Sequence, residues 1–384
     1  MTPALHAIAA DCVFDGDTVH GEAAVLVAGD TIVALVPQAE MPAGASIERL
    51  PPGTCLAPGF IDVQVNGGGD VLFNDALDPE GIAIMAAAHR RFGTTSLLPT
   101  LITDRPEKLE LGIAAVREAM RTNPSVLGIH LEGPFISARR PGVHDPAAIR
   151  RPTDADLALL TSLEAGVTLV TLAPEEVPAG FIAALVGAGV RVSLGHSMAT
   201  YDETRAAMAE GLTGFTHLFN AMRPLGSRDP GPIAAALETP ACWYGLIVDG
   251  EHVDAAVLRL ALRGLGRPML VTDAMPPVGG TRDRFSLYGQ EIALGDRRCV
   301  RSDGTLAGAA LDMASAVRNA VRLLGIDLAG ALRMASTAPA DFLGLGERLG
   351  RVKAGARADL VALDPRTVDV LRTWVAGVAS DPER

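Results

Sequence analysis

Three residues of metal-ligating type stand where apolar, β-branched runs stop. They are Glu132 in His-Leu-Glu-Gly-Pro, His196 in Ser-Leu-Gly-His-Ser and His217 in Phe-Thr-His-Leu-Phe-Asn. Two neutral imidazoles and one carboxylate can supply three ligands to a divalent cation and leave a position for water. Asp273, in Leu-Val-Thr-Asp-Ala-Met, follows another such run. A carboxylate there can take the proton from that water and return it to a leaving group. Each residue also has a plainer reading when taken alone. A histidine at a strand end is more often a hydrogen-bonded structural residue than a ligand, and Glu132 could be a helix N-terminal charge. The shared position at strand ends favours the joint reading, because nothing structural requires it.

Other polar groups fall nearby. His144, in Arg-Arg-Pro-Gly-Val-His-Asp-Pro, sits in a long loop where it could polarise a substrate carbonyl, although a solvated loop histidine is the simpler reading. His252, in Val-Asp-Gly-Glu-His, could contact substrate or cap the next helix. Arg228, in Gly-Ser-Arg-Asp-Pro-Gly, could hold a phosphate bidentately, whereas an exposed loop arginine usually does nothing specific. His130 shares a strand face with Glu132 and reads as packing behind it. His6, His20 and His89 receive no role. Neither Gly67-Gly68-Gly69 nor Gly279-Gly280 matches a P-loop or a dinucleotide fingerprint, and no Gly-x-Ser-x-Gly elbow is present.

Bringing such a set together requires converging strand ends. Candidate strands are Phe60–Val65, Thr95–Leu98, Val126–His130, Val167–Leu172, Val190–Leu194, Gly214–His217, Trp243–Val248 and Met269–Thr272, with helical stretches such as Gly81–Phe92, Glu107–Arg121 and Thr200–Glu210 between them. Thr200-Tyr-Asp-Glu203 matches a capping box. Eight strands alternating with helices predict an α/β fold, a (β/α)8 TIM barrel, with an open doubly wound sheet as the alternative. In a barrel, the C-terminal strand ends carry catalysis. Residues 1–56 read as short β segments, including a hairpin through Ala28-Gly29-Asp30, and Gly350–Leu363 reads as β again. The expected organisation is a small β-sandwich domain from 1–56 plus 350–384 and a catalytic barrel over 57–349. Arg282–Arg301 reads as a β excursion, and Leu311–Leu324 and Leu328–Leu343 as helices.

Composition narrows the function classes. Hydrophobic residues make up 48% of 384 and charged residues 20%, which supports a large core and excludes global disorder. The net charge of −12, without a basic run, argues against nucleic-acid binding. An anionic substrate would then need a local arginine or backbone cradle. Cys12, Cys55, Cys242 and Cys299 lie far apart and form no CxxC pair, so no disulfide framework is expected. Neither a signal peptide nor a membrane-spanning run is recognisable, and the expectation is a soluble cytoplasmic protein with no membrane partner.

Several of these segments together resemble one family. Ala-Pro-Gly-Phe-Ile-Asp-Val-Gln-Val-Asn-Gly (57–67), His-Leu-Glu-Gly-Pro-Phe (130–135), Leu-Gly-His-Ser (194–197), Thr-His-Leu-Phe-Asn-Ala-Met (216–222) and Val-Thr-Asp-Ala-Met (271–275) are similar to the N-acetylglucosamine-6-phosphate deacetylases of the amidohydrolase superfamily. Residues 331–340 and 350–364 resemble the superfamily's C-terminal signature, which is less specific. The resemblance implies one divalent metal, zinc before iron or another ion, on Glu132, His196 and His217, with Asp273 as general base and acid. It implies that His144 polarises the acetamide carbonyl, with Val143 beside it. Asn220, Ala221, Arg228, His252 and the turn Leu306, Ala307 and Gly308 would line the sugar-phosphate site. It further implies a homodimer in which Arg228 reaches the neighbouring subunit's site. Many superfamily members carry His-x-His for a second metal where this chain has Gln64 and Asn66, which implies a single-metal site. Rival readings are the galacto epimer as substrate, a cyclic amide, or a non-catalytic sugar-phosphate sensor. Lys108 and Lys353 are the only lysines and neither ends a predicted strand, which counts against a lysine-bridged metal pair.

Overall fold

The computed structural model describes residues 4–295 and 298–381. Residues 296 and 297, within the expected β excursion, and the chain ends 1–3 and 382–384 lie outside the described residues. The first strands are β1 (Leu5–Phe14), β2 (Val19–Ala28), β3 (Thr31–Pro37), β4 (Ser46–Arg49) and β5 (Cys55–Pro58). They join β20 (Leu360–Leu363), β21 (Val370–Val375) and β22 (Val378–Ser380) in one mixed sheet of order β22-β21-β20-β5-β1-β2-β3, with β4 beside β1. The expected hairpin joins β2 to β3, with Gly29 at a positive φ of 63°.

Alternation decides which way each face of this sheet looks. On β20, Leu360 and Ala362 point into the sheet's own apolar cluster with Ile8, Val25 and Trp374, while Val361 and Leu363 join the barrel core. Both faces are buried, which is why Leu-Val-Ala-Leu is apolar at every position.

The barrel strands are β6 (Phe60–Val65), β9 (Thr94–Ile102), β10 (Gly128–Glu132), β11 (Val167–Leu172), β12 (Arg191–Leu194), β13 (Gly214–Phe215), β14 (Trp243–Leu246) and β15 (Arg267–Leu270). A small hairpin, β7 (Gly67–Gly68) and β8 (Val71–Leu72), follows the first of them. All neighbours pair in parallel, and the ring closes through a Val65–Ala274 bridge. Helices α1 (Pro79–Arg90), α2 (Pro106–Ala119), α3 (Asp154–Leu160), α4 (Phe181–Gly187), α5 (Tyr201–Ala209), α6 (Gly231–Glu238) and α7 (Ala255–Ala261) alternate with these strands. The fold is therefore a TIM barrel carrying a β domain. Thr200 caps α5 through the reciprocal bonds of the expected capping box. Among the described residues no helix is long and apolar enough to cross a membrane.

Local differences from the sequence reading have physical reasons. The strand expected over Val126–His130 runs instead through Glu132, because Glu132 pairs with Thr171 on one side and Ile102 on the other. The Leu328–Leu343 helix is two helices, α9 (Leu328–Ala335) and α10 (Thr337–Leu343), joined at Ser336 with φ −130° and ψ −69°. Pro339 has no N–H for an unbroken helix, whereas in the first turn of α10 that N–H is unneeded. The helix read over Leu311–Leu324 is α8 (Met313–Asn319) followed by a π turn. The β excursion consists of β16 (Arg284–Leu287), β17 (Gln290–Gly295), β18 (Arg298–Val300) and β19 (Leu306–Ala309). Leu306–Gly308 is thus a strand rather than a turn, held by pairing to β18 and by an Ala309–Ala274 bridge.

The C-terminal signature holds the β domain to the barrel. Arg357 donates to the Pro124 carbonyl at 2.7 Å and to Ser96 Oγ of β9 at 2.8 Å, and it is ion-paired with Asp359. Asp359 also accepts the Ala376 N–H at 2.8 Å. The side chains are only 15% and 5% exposed. Removing one partner of such a pair leaves a buried charge unmatched, so Asp359→Ala should lower stability by about 3 kcal/mol. Chemical denaturation measures this, and a loss below ~1 kcal/mol would show that the joint does not depend on the pair.

Candidate active site

The C-terminal ends of the barrel strands open into a cavity of about 240 Å³. Its lining includes Glu132, His196, His217 and Asp273 together with Asn66, Val143, His144, Asn220, Ala221, His252, Leu306 and Gly308. Glu132 is the last residue of β10, His196 lies two residues past β12, and His217 lies two past β13. Asp273 lies three past β15.

The backbone works to aim these groups. His196, His217 and Asp273 adopt positive φ values of 48°, 33° and 52°, a region that L side chains rarely occupy. Backbone hydrogen bonds fix two of them there: the Asp273 N–H donates to the Gln64 carbonyl of β6 at 3.0 Å, and the Ser137 N–H, in the loop after β10, donates to the His196 carbonyl at 2.8 Å. Two glycines permit close approach. A Cβ on Gly133 would meet Thr103 Oγ1 at 2.1 Å, and one on Gly308 would meet the Asp273 carbonyl at 2.8 Å.

Glu132 Oε1, His196 Nε2 and His217 Nε2 converge. The carboxylate oxygen is 3.1 Å from His196 and 3.0 Å from His217, and the two ring nitrogens are 3.1 Å apart. All three residues are buried. Burial opposes charge, yet the two imidazoles hold the Glu132 carboxyl well below its ordinary range. Burial likewise opposes a charge on His217, yet the Glu132 carboxylate raises its pKa. The cluster therefore attracts a positive charge. His196 Nδ1 donates to the Arg140 carbonyl at 2.9 Å, which leaves its Nε2 lone pair facing the cluster. Lone pairs from two rings and a carboxylate oxygen at one point form a donor set that fits a divalent cation better than a single proton.

Asp273 is the second carboxylate of the cavity. Burial and the nearby Glu132 charge push it up to about 6. Asn66 Nδ2 donates to its Oδ1 at 2.6 Å and Gln64 Nε2 at 3.1 Å. Gln64 also approaches both oxygens of Glu132, at 3.4 and 3.3 Å.

His144 is not a solvated loop residue. It is buried, its ring centroid is 4.3 Å from that of His196, and its Nδ1 is 2.7 Å from Thr103 Oγ1. Burial holds its pKa well below the ordinary value, so the ring is neutral. His252 Nδ1 is bound to the Asp249 carboxylate at 2.6 Å, and the Asp249 side chain also accepts the His252 N–H. His130 lies inside the barrel between Thr100 and Thr171, as the packing reading expected.

Two expected positions fall outside the lining. The Ala307 side chain packs in a separate apolar cluster with Met275 and Ile292, and Arg228 is exposed on the 223–229 loop. Thr103, Arg140 and Asp249 orient the chemistry-bearing rings but carry no signal in sequence, apart from Asp249 lying three residues before His252. Purified protein given a divalent ion should hold one per chain, and His196→Ala or His217→Ala should each retain under about a tenth of that. Metal analysis after dialysis decides it, and full occupancy in both variants would place the ion elsewhere.

Residues 55–381 match the model of the amidohydrolase family. The chain is 42% identical to the N-acetylgalactosamine-6-phosphate deacetylase of Shewanella sp. (strain ANA-3), over 86% of this chain and 84% of that one. It is 36% identical to the N-acetylglucosamine-6-phosphate deacetylase of Haemophilus influenzae, over 92% and 93%. The crystal structure of N-acetylglucosamine-6-phosphate deacetylase from Pasteurella multocida superposes with a TM-score of 0.95 at 36% identity, covering 98% of this chain and all of that one. With a barrel of this topology and this donor set at its mouth, the chain belongs to the amidohydrolase family, among its N-acetyl-amino-sugar-6-phosphate deacetylases.

Proposed function

We propose that this protein hydrolyses the acetamide of N-acetyl-D-glucosamine 6-phosphate, giving D-glucosamine 6-phosphate and acetate. The observation that carries this reading is the buried Glu132–His196–His217 donor set with Asp273 lining the same small cavity. Glu132, His196 and His217 would hold one divalent ion, zinc before iron or another metal as the family resemblance implies. When bound, such an ion supplies Lewis acidity to the acetamide oxygen and acidifies water. The amide donors of Gln64 and Asn66 support a single ion.

The protein's own groups then carry the proton. Asp273 accepts it from the attacking water and delivers it to the amide nitrogen as the C–N bond breaks. Burial raises this carboxyl above the ordinary range, which helps it accept and hold the proton between the two steps. Both amides bind Oδ1, so Oδ2 has no protein donor among the described residues and is available for the proton. His144 is neutral and is oriented by the 2.7 Å hydrogen bond between its Nδ1 and the Thr103 hydroxyl; in the tautomer with the proton on Nε2 it would donate to the acetamide oxygen as negative charge develops. Val143, Asn220, Ala221, His252, Leu306 and Gly308 would contact the sugar, with Ala307 packed behind them.

The phosphate needs a cation, and no lysine or arginine of this chain lines the cavity among the described residues. Arg228 lies on an exposed loop beside an apolar groove that includes Phe219, Leu225, Ile233 and Leu260, with Leu225 53% and Leu260 63% exposed. This supports a homodimer in which Arg228 enters the neighbouring site. A cytoplasmic setting is proposed because the chain carries four free thiols.

The galacto epimer is the second reading, favoured by the Shewanella relative. A cyclic amide is less well supported. Lys108 donates to the Asn74 carbonyl and Lys353 to Glu347, so neither lysine stands at the donor set.

Acetate release from N-acetylglucosamine 6-phosphate should be abolished by chelation and restored by metal, and the unphosphorylated sugar should be a poor substrate. No release from metal-loaded protein would sink the assignment, and paired rates on the galacto epimer would then decide between the two sugars. Asp273→Asn should lose roughly 10²–10⁴ in kcat while keeping its metal. A near-normal rate would remove Asp273 from the mechanism. Arg228→Ala should raise KM about tenfold or more. Mixed dimers of Arg228→Ala and Asp273→Asn should regain low-substrate activity that neither parent shows. Absence of that gain would mean that Arg228 does not act across the interface.

A further inference from the structure

We infer that Cys12 and Cys55 are a reversible redox pair, a modification site in the terminal sheet that a small-molecule disulfide closes to a protein disulfide. Their separation of 43 residues in sequence gives no reason to pair them, yet the fold brings them together as free thiols. Strands β1 and β5 are parallel neighbours, and Cys12 and Cys55 are registered partners. Adjacent strands lie about 4.8 Å apart, within the roughly 4.4–6.8 Å Cα separation that a disulfide spans. The two Sγ atoms are already 2.9 Å apart. Cys242 is buried within the barrel core and Cys299 in the β excursion's cluster, and neither is hydrogen-bonded to another cysteine among the described residues.

The two thiols differ in a way that orders the chemistry. Cys12 is partly exposed and Cys55 buried. The hydrogen bond between the two sulfurs favours a thiolate on one of them, and it lowers the more exposed Cys12 from the ordinary thiol range. The Cys12 thiolate attacks one sulfur of the small disulfide, forming a mixed disulfide and releasing one small thiolate. Cys55, giving up its proton, then attacks the Cys12 sulfur and displaces the second small thiolate. Two protein thiols and one small disulfide become one protein disulfide and two small thiols. Two electrons pass to the small molecule, and the two thiol protons go to its two halves.

The position gives the bond a structural consequence. Within the sheet order, the strands of the N-terminal half, β1 to β4, join those of the other half, β5 and β20 to β22, through the β1–β5 ladder, with the Thr31–Arg357 bridge and the Glu48–Arg372 ion pair as further links. That ladder has two registered pairs, Cys12–Cys55 and Val13–Leu56, whereas β1 and β2 pair from Leu5 to Phe14. A disulfide here fastens the shortest seam in the sheet, at the strand that leads through Gly59 into β6. Neither cysteine lines the active-site cavity.

The test uses reduced, purified full-length protein incubated with oxidised glutathione. Free thiols counted under denaturing conditions should fall from four to two per chain. Peptide mapping should find a Cys12–Cys55 link that dithiothreitol reverses, and the unfolding temperature should rise. Cys55→Ser should stop at a glutathione adduct on Cys12, and Cys12→Ser should give no cross-link. Four persisting thiols in the wild type would overturn the proposal. So would a link through Cys242 or Cys299, or a stable glutathione adduct on wild-type Cys12. The wild-type mapping stands even if a variant fails to fold.

Discussion

The mouth of the barrel is organised around one unfavourable convergence. A carboxylate oxygen and two imidazole nitrogens are held within 3.1 Å of one another in a buried place, and only a positive charge between them makes that arrangement acceptable. Much of the surrounding structure can be understood as what enforces it. Each of the two histidines and the neighbouring Asp273 sits on backbone with positive φ, at a cost of order 1–3 kcal/mol apiece. Strand-end hydrogen bonds from β6, the Ser137 loop and β19 absorb that strain, so the barrel acts as the rigid frame that such a site requires.

Charge balance extends the same constraint outward. The cavity holds two carboxylates, a neutral His144 and no arginine or lysine of its own among the described residues. A chain with net charge −12 therefore approaches an anionic sugar with a site that is incomplete electrostatically. On the reading proposed above, the missing positive charge would arrive with the ion and, in a homodimer, with the exposed Arg228 of the neighbouring subunit.

Much of this was legible in sequence because the relevant signals are local. The eight barrel strands are short apolar runs, and Glu132, His196, His217 and Asp273 stand out as polar residues just where those runs stop. Nothing local reveals a pairing register or a tautomer. Thr103 lies 41 residues before His144, and Arg140 meets His196 through a backbone carbonyl, so neither leaves a pattern to find. The burial of His144, the strand at Leu306–Gly308 and the Cys12–Cys55 contact likewise depend on which strands become neighbours. The break at Ser336 was readable in principle, since Pro339 three residues on cannot lie inside a continuous helix.

Gln64 and Asn66 show how a substitution in this setting changes the electrostatics rather than merely deleting ligands. A histidine at either place would offer a lone pair beside two carboxylates, and a second cation would complete that arrangement. The amides offer N–H groups instead, and these satisfy Asp273 and Glu132 directly. Asn66 does so at the expense of its own Oδ1, which is buried without a partner among the described residues. That orphaned acceptor indicates that donation to Asp273 sets the side chain's orientation, because an unsatisfied buried carbonyl costs about 1–3 kcal/mol. With two carboxylates and one dication the site is neutral. A second dication would add two uncompensated charges in a largely buried site, so the amides that hold Asp273 in place favour the one-ion site proposed above.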